Sequence, residues 1–337
     1  MIRSRHTSIA VTALAAIALA IAACGPTSGP LGTPATPAPS TEPSLDLPSD
    51  DVTPGTPVPS SAPSGTPVAS TTPAGTPTPT ATATGETMIV RAYFIQGSIP
   101  DVPGAALEGL VPVLRVVPKS TAVARAAMTA LLDGPNSVEA AYQPGLFTTI
   151  PDGTHLLGIS IAGGVATVNL SAEFESGGGS ASIFGRLAQV VYTLTQFPTV
   201  KTVLFQLDGI PVEIFSGEGV ILDHEVGRAD YQDQARAIFV DRPAWGASIG
   251  NPAIVSGKAN VFEAQFLVRL LDKSGALIAE QAVTASCGTG CWGTFKVTVP
   301  YTVSAAQYGT LRVLDLSEMD GSEIEVVDYP VWLTPPS

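Results

Sequence analysis

Apolar residues fall into three regimes along this chain. From Ile9 to Ala23 they form one run behind a basic start at Arg3, Arg5 and His6. From residue 25 to about 86 large apolar residues nearly vanish. From Met88 onward they return with the spacings of strands and helices. Met88–Ile95 predicts a buried strand and Leu110–Val117 a second, which Pro112 assigns to an edge or a bulge. Ser120 is expected to cap a helix through Leu132, with Val123, Ala126, Ala127, Ala130 and Leu131 at helical spacing and Gly134-Pro135 as its stop. Ile150–Thr154 reads as a turn, and Leu156–Ile161 with Val165–Leu170 as a hairpin. Glycines 177–179 lead to Ser180, a second expected cap. Ile183, Leu187, Val190, Val191 and Leu194 form the stripe of the helix that follows, ending near Phe197-Pro198. Val200–Leu207 is expected as the final strand of this α+β unit.

The pattern changes again near residue 227. Val226–Gln234 is polar and charged and reads as a link. Beyond Ala237 the expected strands are Ile238–Val240, Ala253–Ala259, Ala264–Leu271, Leu277–Ala282, Thr294–Val299, Leu311–Leu316 and Ile324–Val331. Seven short strands punctuated by turn residues predict an immunoglobulin-like sandwich. The expected segmentation is therefore 1–23 export signal, 24–86 tether, 87–226 α+β domain, 227–236 link and 237–334 sandwich.

The first segment has the layout of a secretory signal, and its apolar run is shorter than the roughly 20 residues a membrane span needs. Ile21-Ala22-Ala23-Cys24 resembles the bacterial lipobox. The resemblance implies that Cys24 carries a diacylglyceryl thioether and becomes the mature N-terminus. The tether after it is rich in Pro, Thr, Ser, Ala and Gly, repeats Gly-Thr-Pro four times and holds no Lys or Arg. Such a composition buries too little surface to offset ordering entropy, so a disordered, partly polyproline-II spacer is expected.

Charge and cysteine usage narrow the chemistry. Net charge is −13, with 16 Lys plus Arg against 29 Asp plus Glu, which argues against binding nucleic acid. Of three cysteines, Cys287 and Cys291 remain after Cys24, separated by Gly288-Thr289-Gly290. In an exported chain this pair reads as a disulfide that pins a loop. Zinc is the weaker reading, because there are two sulfurs and no nearby histidine. No metal, cofactor or catalytic residue is assigned. Asp223-His224-Glu225 reads as a solvated loop, because adjacent residues on an extended chain point apart. His155 starts a strand, and Glu173 and Glu175 read as surface charge. Ser180 and Ser182 after the glycine run read as a plain helix start, with anion binding as the alternative. Trp245, following Pro243 in a loop signal, and Trp292 are the candidate recognition aromatics.

Particular stretches also resemble known families. Pro112–Val117, Leu131–Pro135, Ile150–Thr154, Val168–Phe174, Val191–Val200 and Leu207–Gly209 resemble the GerMN domain of spore-germination and sporulation lipoproteins, over about 130 residues. Asn169 stands where that pattern more often has Asp. Asn251-Pro252, Val255–Ala259, Phe262–Ala264, Thr284–Ser286, Phe295 and Leu316–Ser322 resemble Gmad2, the immunoglobulin-like domain of spore-germination proteins. The resemblance implies noncatalytic interaction modules on an exported lipoprotein. Its partners would be a membrane, reached through the lipid, and an envelope protein or peptidoglycan. A sensory lipoprotein acting on a membrane kinase or transporter is the second reading. A cell-wall enzyme is the third, disfavoured by the absence of paired carboxylates, a zinc motif or a nucleophile–base motif.

Overall fold

A computed structural model describes residues 85–336; the export segment, Cys24 and the tether lie outside them. Among the described residues no helix is long and apolar enough to cross a membrane. In the first half, β1 (Thr87–Gln96) sits between β2 (Gly109–Pro118) and β3 (Leu146–Phe147), antiparallel to both. Within this sheet Pro112 does lie on an edge strand, where its missing N–H costs no ladder bond.

The expected caps shift. Helix α1 (Val123–Leu132) begins after Ala122, which makes no side-chain cap bond. The Ser120 hydroxyl instead accepts from the Ala122 N–H, a local turn. Its buried face is Ala124, Ala127, Met128, Ala130 and Leu131, so Val123 and Ala126 lie at its margin. Gly134, at φ +75°, ends it by donating to the Leu131 carbonyl. A short helix not anticipated, α2 (Ser137–Ala141), starts on an Asn136–Glu139 capping box.

The hairpin forms as expected from β4 (Leu156–Ala162) and β5 (Val165–Leu170). Its two-residue turn, Gly163-Gly164, has φ of 60° and 95°, which side chains with a Cβ resist. Helix α3 (Ser180–Leu194) then crosses over to β6 (Thr202–Leu207), which runs parallel to β5. All five residues of its expected stripe are buried. The Val200–Leu207 strand is not the last of this half. β7 (Ile210–Pro211) extends the sheet to the order β4-β5-β6-β7, and β8 (Ile214–Phe215) pairs with β9 (Val220–Ile221). Asn169 Oδ1 accepts from the Gly209 N–H at 2.8 Å, tying the β6–β7 turn to β5.

The polar link is not loose chain. Arg228–Gln234 is a 3-10 helix packed on α3, with Tyr231 buried. It runs into β10 (Ile238–Arg242), followed by β11 (Ser248–Ile249), β12 (Ala253–Ala259), β13 (Gln265–Leu271), β14 (Leu277–Thr284), β15 (Gly293–Val299), β16 (Gln307–Leu316) and β17 (Glu323–Leu333). All seven expected strands are present, and only β11 is additional. They form two sheets, β10-β12-β15 and β11-β17-β16-β13-β14. Between the sheets Phe266 and Phe295 meet edge to face at 4.8 Å. The fold is thus an α+β unit followed by an immunoglobulin-like sandwich.

The two halves interlock. Trp245 N–H donates to the Pro112 carbonyl at 2.8 Å, and Ala106 N–H to the Val326 carbonyl at 3.0 Å. Gly104, at φ +73°, permits the second contact, because a Cβ there would meet the Glu323 carbonyl. Beside this seam Glu325 is half-buried. Burial raises its carboxyl pKa, the charge of Asp315 adds to the rise, and Arg236 opposes it. The folded state therefore holds the Glu325 proton more tightly than the unfolded chain does. As pH climbs from about 4 through the raised folded value, stability falls. Glu325→Gln is expected to shallow that decline in a melting-temperature series. An unchanged series would remove Glu325 from the explanation.

Candidate functional site

Where α3 and the 3-10 helix meet β10, β12 and β15, the surface opens into a cleft of about 240 Å³. Tyr192, Arg228, Phe239, Lys258, Trp292 and Phe295 are among its walls. Helix α3 supplies Tyr192 at its buried C-terminal turn. Phe239 on β10 packs edge to face on Tyr192, with ring centroids 5.6 Å apart. These aromatics belong to different halves of the chain, so tertiary packing alone creates the cleft.

Arg228 organises the cleft floor. Its guanidinium lies 4.6 Å from the Tyr192 ring centroid and 5.2 Å from that of Tyr93. It donates to Thr195 Oγ1 at 2.8 Å, the Tyr192 carbonyl at 3.1 Å and the Tyr93 hydroxyl oxygen at 3.2 Å. The Tyr93 hydroxyl in turn donates to Asp241 Oδ1 at 2.7 Å. Burial raises both phenol pKa values against the opposing pull of Arg228, that of Tyr192 to about 12. Both tyrosines therefore stay neutral near pH 7; both are packing surfaces, and the Tyr93 hydroxyl is a donor. Asp241 is occupied by Tyr93 and faces Arg228 at 3.9 Å. The cleft offers π faces, cations and amide or hydroxyl groups, which is binding chemistry.

The candidates read from the sequence are scattered. Trp292 is half-buried in the cleft wall. Cys287 and Cys291 are bonded to each other immediately before it, with Cα atoms 5.8 Å apart. Thr289 N–H donates to the Val261 carbonyl and Gly290 N–H to Asn260 Oδ1, both at 2.9 Å, so the ring is fastened to the sandwich. Trp245 is only 8% exposed, so its candidacy as a recognition aromatic is corrected. It packs edge to face on Tyr142 at 5.2 Å, because the loop after Pro243 folds back between β2 and β17.

His224 Nδ1 lies 2.8 Å from Asp223 Oδ1, so the adjacent side chains meet because the loop is not extended. Both are exposed. His155 is exposed as well, and its N–H donates to Ser171 Oγ. Among the described residues no group of three or more His, Cys, Asp or Glu is placed to hold a metal. Ser180 is not a cap; its hydroxyl donates to Glu218 Oε2 at 2.6 Å. The carbonyls of the glycine-rich loop turn inward and accept from the Arg186 guanidinium. Glu175 Oε1 accepts from the Ser216 N–H, while Glu173 is exposed. Arg228, Tyr93 and Asp241 were missed because each sits in an unremarkable local pattern, and only their convergence marks them.

Two family models match the two halves of the described region in turn. The family model described as Germane, sporulation and spore germination, matches residues 91–213. The one described as Gmad2, immunoglobulin-like domain of bacterial spore germination, matches residues 237–322. The chain is 30% identical over 167 residues to a protein named Lipoprotein LpqB from Thermobifida fusca (strain YX), across 45% of this chain and 26% of that protein. It thus spans about a quarter of that relative's length. Among solved structures, the tandem GerMN domains of the sporulation protein GerM from Bacillus subtilis align at 15% identity and TM-score 0.35, covering 75% of this chain and 62% of that one. The first GerMN domain of the same protein aligns at 20% identity and TM-score 0.33, covering 42% and 99%.

Proposed function

From the premise that this chain carries a Germane domain followed by a Gmad2 domain, we propose that it is a noncatalytic, lipid-anchored protein of the bacterial cell envelope. Its two folded domains act as binding modules for an envelope protein or wall polymer, held off the membrane by the Pro/Thr-rich tether. The observation that carries this reading is the cleft between the halves. It gathers aromatic and cationic groups, and its one carboxylate, Asp241, is already occupied by the Tyr93 hydroxyl. The lipobox-like Cys24 supports the anchor, and the name of the lipoprotein relative accords with it. The cleft's modest size also suits a small ligand, which keeps the sensory alternative in play.

The test is fractionation and crosslinking of the full chain in membranes, against Cys24→Ala. Wild-type protein is expected in the membrane fraction with a defined crosslinked partner, and the variant in the soluble fraction without it. A variant that stays in the membrane would remove the lipid anchor from the reading. A variant that keeps its partner in solution would show that binding does not need the anchor.

A further inference from the structure

The outward face of the β10-β12-β15 sheet carries an unusual concentration of positive charge for a protein of net charge −13. Strand register places Arg242 opposite Ser256 and Ser256 opposite Lys296. The next row sets Phe239 opposite Lys258 and Lys258 opposite Thr294. Residues directly opposite share a face, and the alternating Val255 and Phe295 are buried between the sheets, so these two rows point away from the sandwich interior, with Phe239 covered by Tyr192 and the rest of the face left open. Arg242, Lys258 and Lys296 are exposed, and none of the ion pairs among the described residues includes them. The face runs directly into the aromatic cleft, whose walls include Lys258, Ser256, Thr294, Gln232 and Trp292.

We propose that this face and cleft form one binding site for an acidic glycan, a chain of sugar rings bearing carboxylate or phosphate groups. The inference rests on the binding-module reading and names its ligand class. The charge on the face selects an anion. The half-buried indole beside it offers a π face to the polarised C–H groups on one side of a sugar ring. Gln232, Ser256 and Thr294 supply partners for ring hydroxyls. The disulfide ring fastened to Asn260 and Val261 holds the indole in place, so little order is lost on binding.

The experiment titrates the full chain in detergent with polygalacturonate, followed by calorimetry and tryptophan fluorescence. Dextran supplies rings without charge, and polyglutamate supplies charge without rings. Polygalacturonate is expected to bind, more weakly as salt rises, and the other two to bind at least tenfold more weakly, in line with about 1.4 kcal/mol per tenfold. The double variant Lys258→Ala/Lys296→Ala and the single variant Trp292→Ala are each expected to lose roughly tenfold in affinity. Thr294→Glu is exposed and leaves the core untouched, so it separates lost binding from lost folding; it is expected to abolish binding at an unchanged melting temperature. Equal binding of polyglutamate would overturn the glycan assignment in favour of an acidic peptide. Absence of polygalacturonate binding, with a membrane partner still recovered by crosslinking, would overturn this inference and leave the binding-module reading standing.

Discussion

Replacing Arg236 with methionine lowers the stability of the folded region by roughly 3 kcal/mol and splits its unfolding into two transitions. Arg236 stands just before β10, with 6% of its surface exposed. Its guanidinium donates to the Leu107 carbonyl at 2.8 Å, to Gln96 Oε1 at 3.1 Å, and to the Gln96 and Gly97 carbonyls at 2.7 and 3.0 Å. The Gln96 amide passes the connection on to the Asp328 carbonyl of β17. One side chain from the sandwich end of the link thus secures the end of β1 and the connection to β2. Methionine matches the stem but donates nothing, so four acceptors lose a partner, the two on Gln96 in buried bonds. Each buried acceptor left unpaired costs on the order of 1–3 kcal/mol, partly offset because the buried charge disappears with the guanidinium. Burial already pushes the Arg236 pKa down, as expected where neutral carbonyls rather than a bonded carboxylate surround it. Urea denaturation followed by circular dichroism and tryptophan fluorescence reads both effects. A single transition at wild-type stability would show that the halves are held by packing alone.

Arg186→Met is expected to cost a similar amount, roughly 3 kcal/mol, with a local signature. Arg186 is 1% exposed on α3. It donates to the carbonyls of Phe174 at 2.7 Å, Ser176 at 2.9 Å and Gly177 at 2.9 Å, and to Ser182 Oγ at 3.2 Å. These bonds close the glycine-rich loop over the start of α3, where the backbone has few other restraints. Without them, amide exchange across residues 174–182 should accelerate toward that of an open loop while the sandwich stays protected. The residue is not one of the cleft walls, so glycan affinity should hold. Unchanged exchange in the variant would mean that the loop is held by its own backbone.

The two arginines also mark where reading the chain alone stopped. The strands, the α3 stripe and the Gly163-Gly164 hairpin were legible because period, turn residues and burial are local properties of the backbone. The helix starts were misjudged at Ser120 and Ser180. A hydroxyl near a helix has several competing partners, and only the folded geometry chooses among them. The segment 227–236 read as a link because its residues are polar. Tyr231 and Arg236 are buried there through partners more than one hundred residues away in the case of Arg236. Trp245 was misplaced for the same reason, since its burial depends on β2 and β17 closing over the loop.

Composition, periodicity and short motifs were enough to determine an α+β unit ahead of a β-sandwich among the described residues, and they lead to the expectation of an export segment and a core-less tether in the residues before them. Each of those follows from local patterns of polarity and turn chemistry. The tertiary structure alone decided that the halves interlock, that Trp245 is sealed while Trp292 borders a cleft, and that three unpaired cations share one face. Such properties arise from residues brought together across long loops, and pairings of that kind leave no trace in local periodicity.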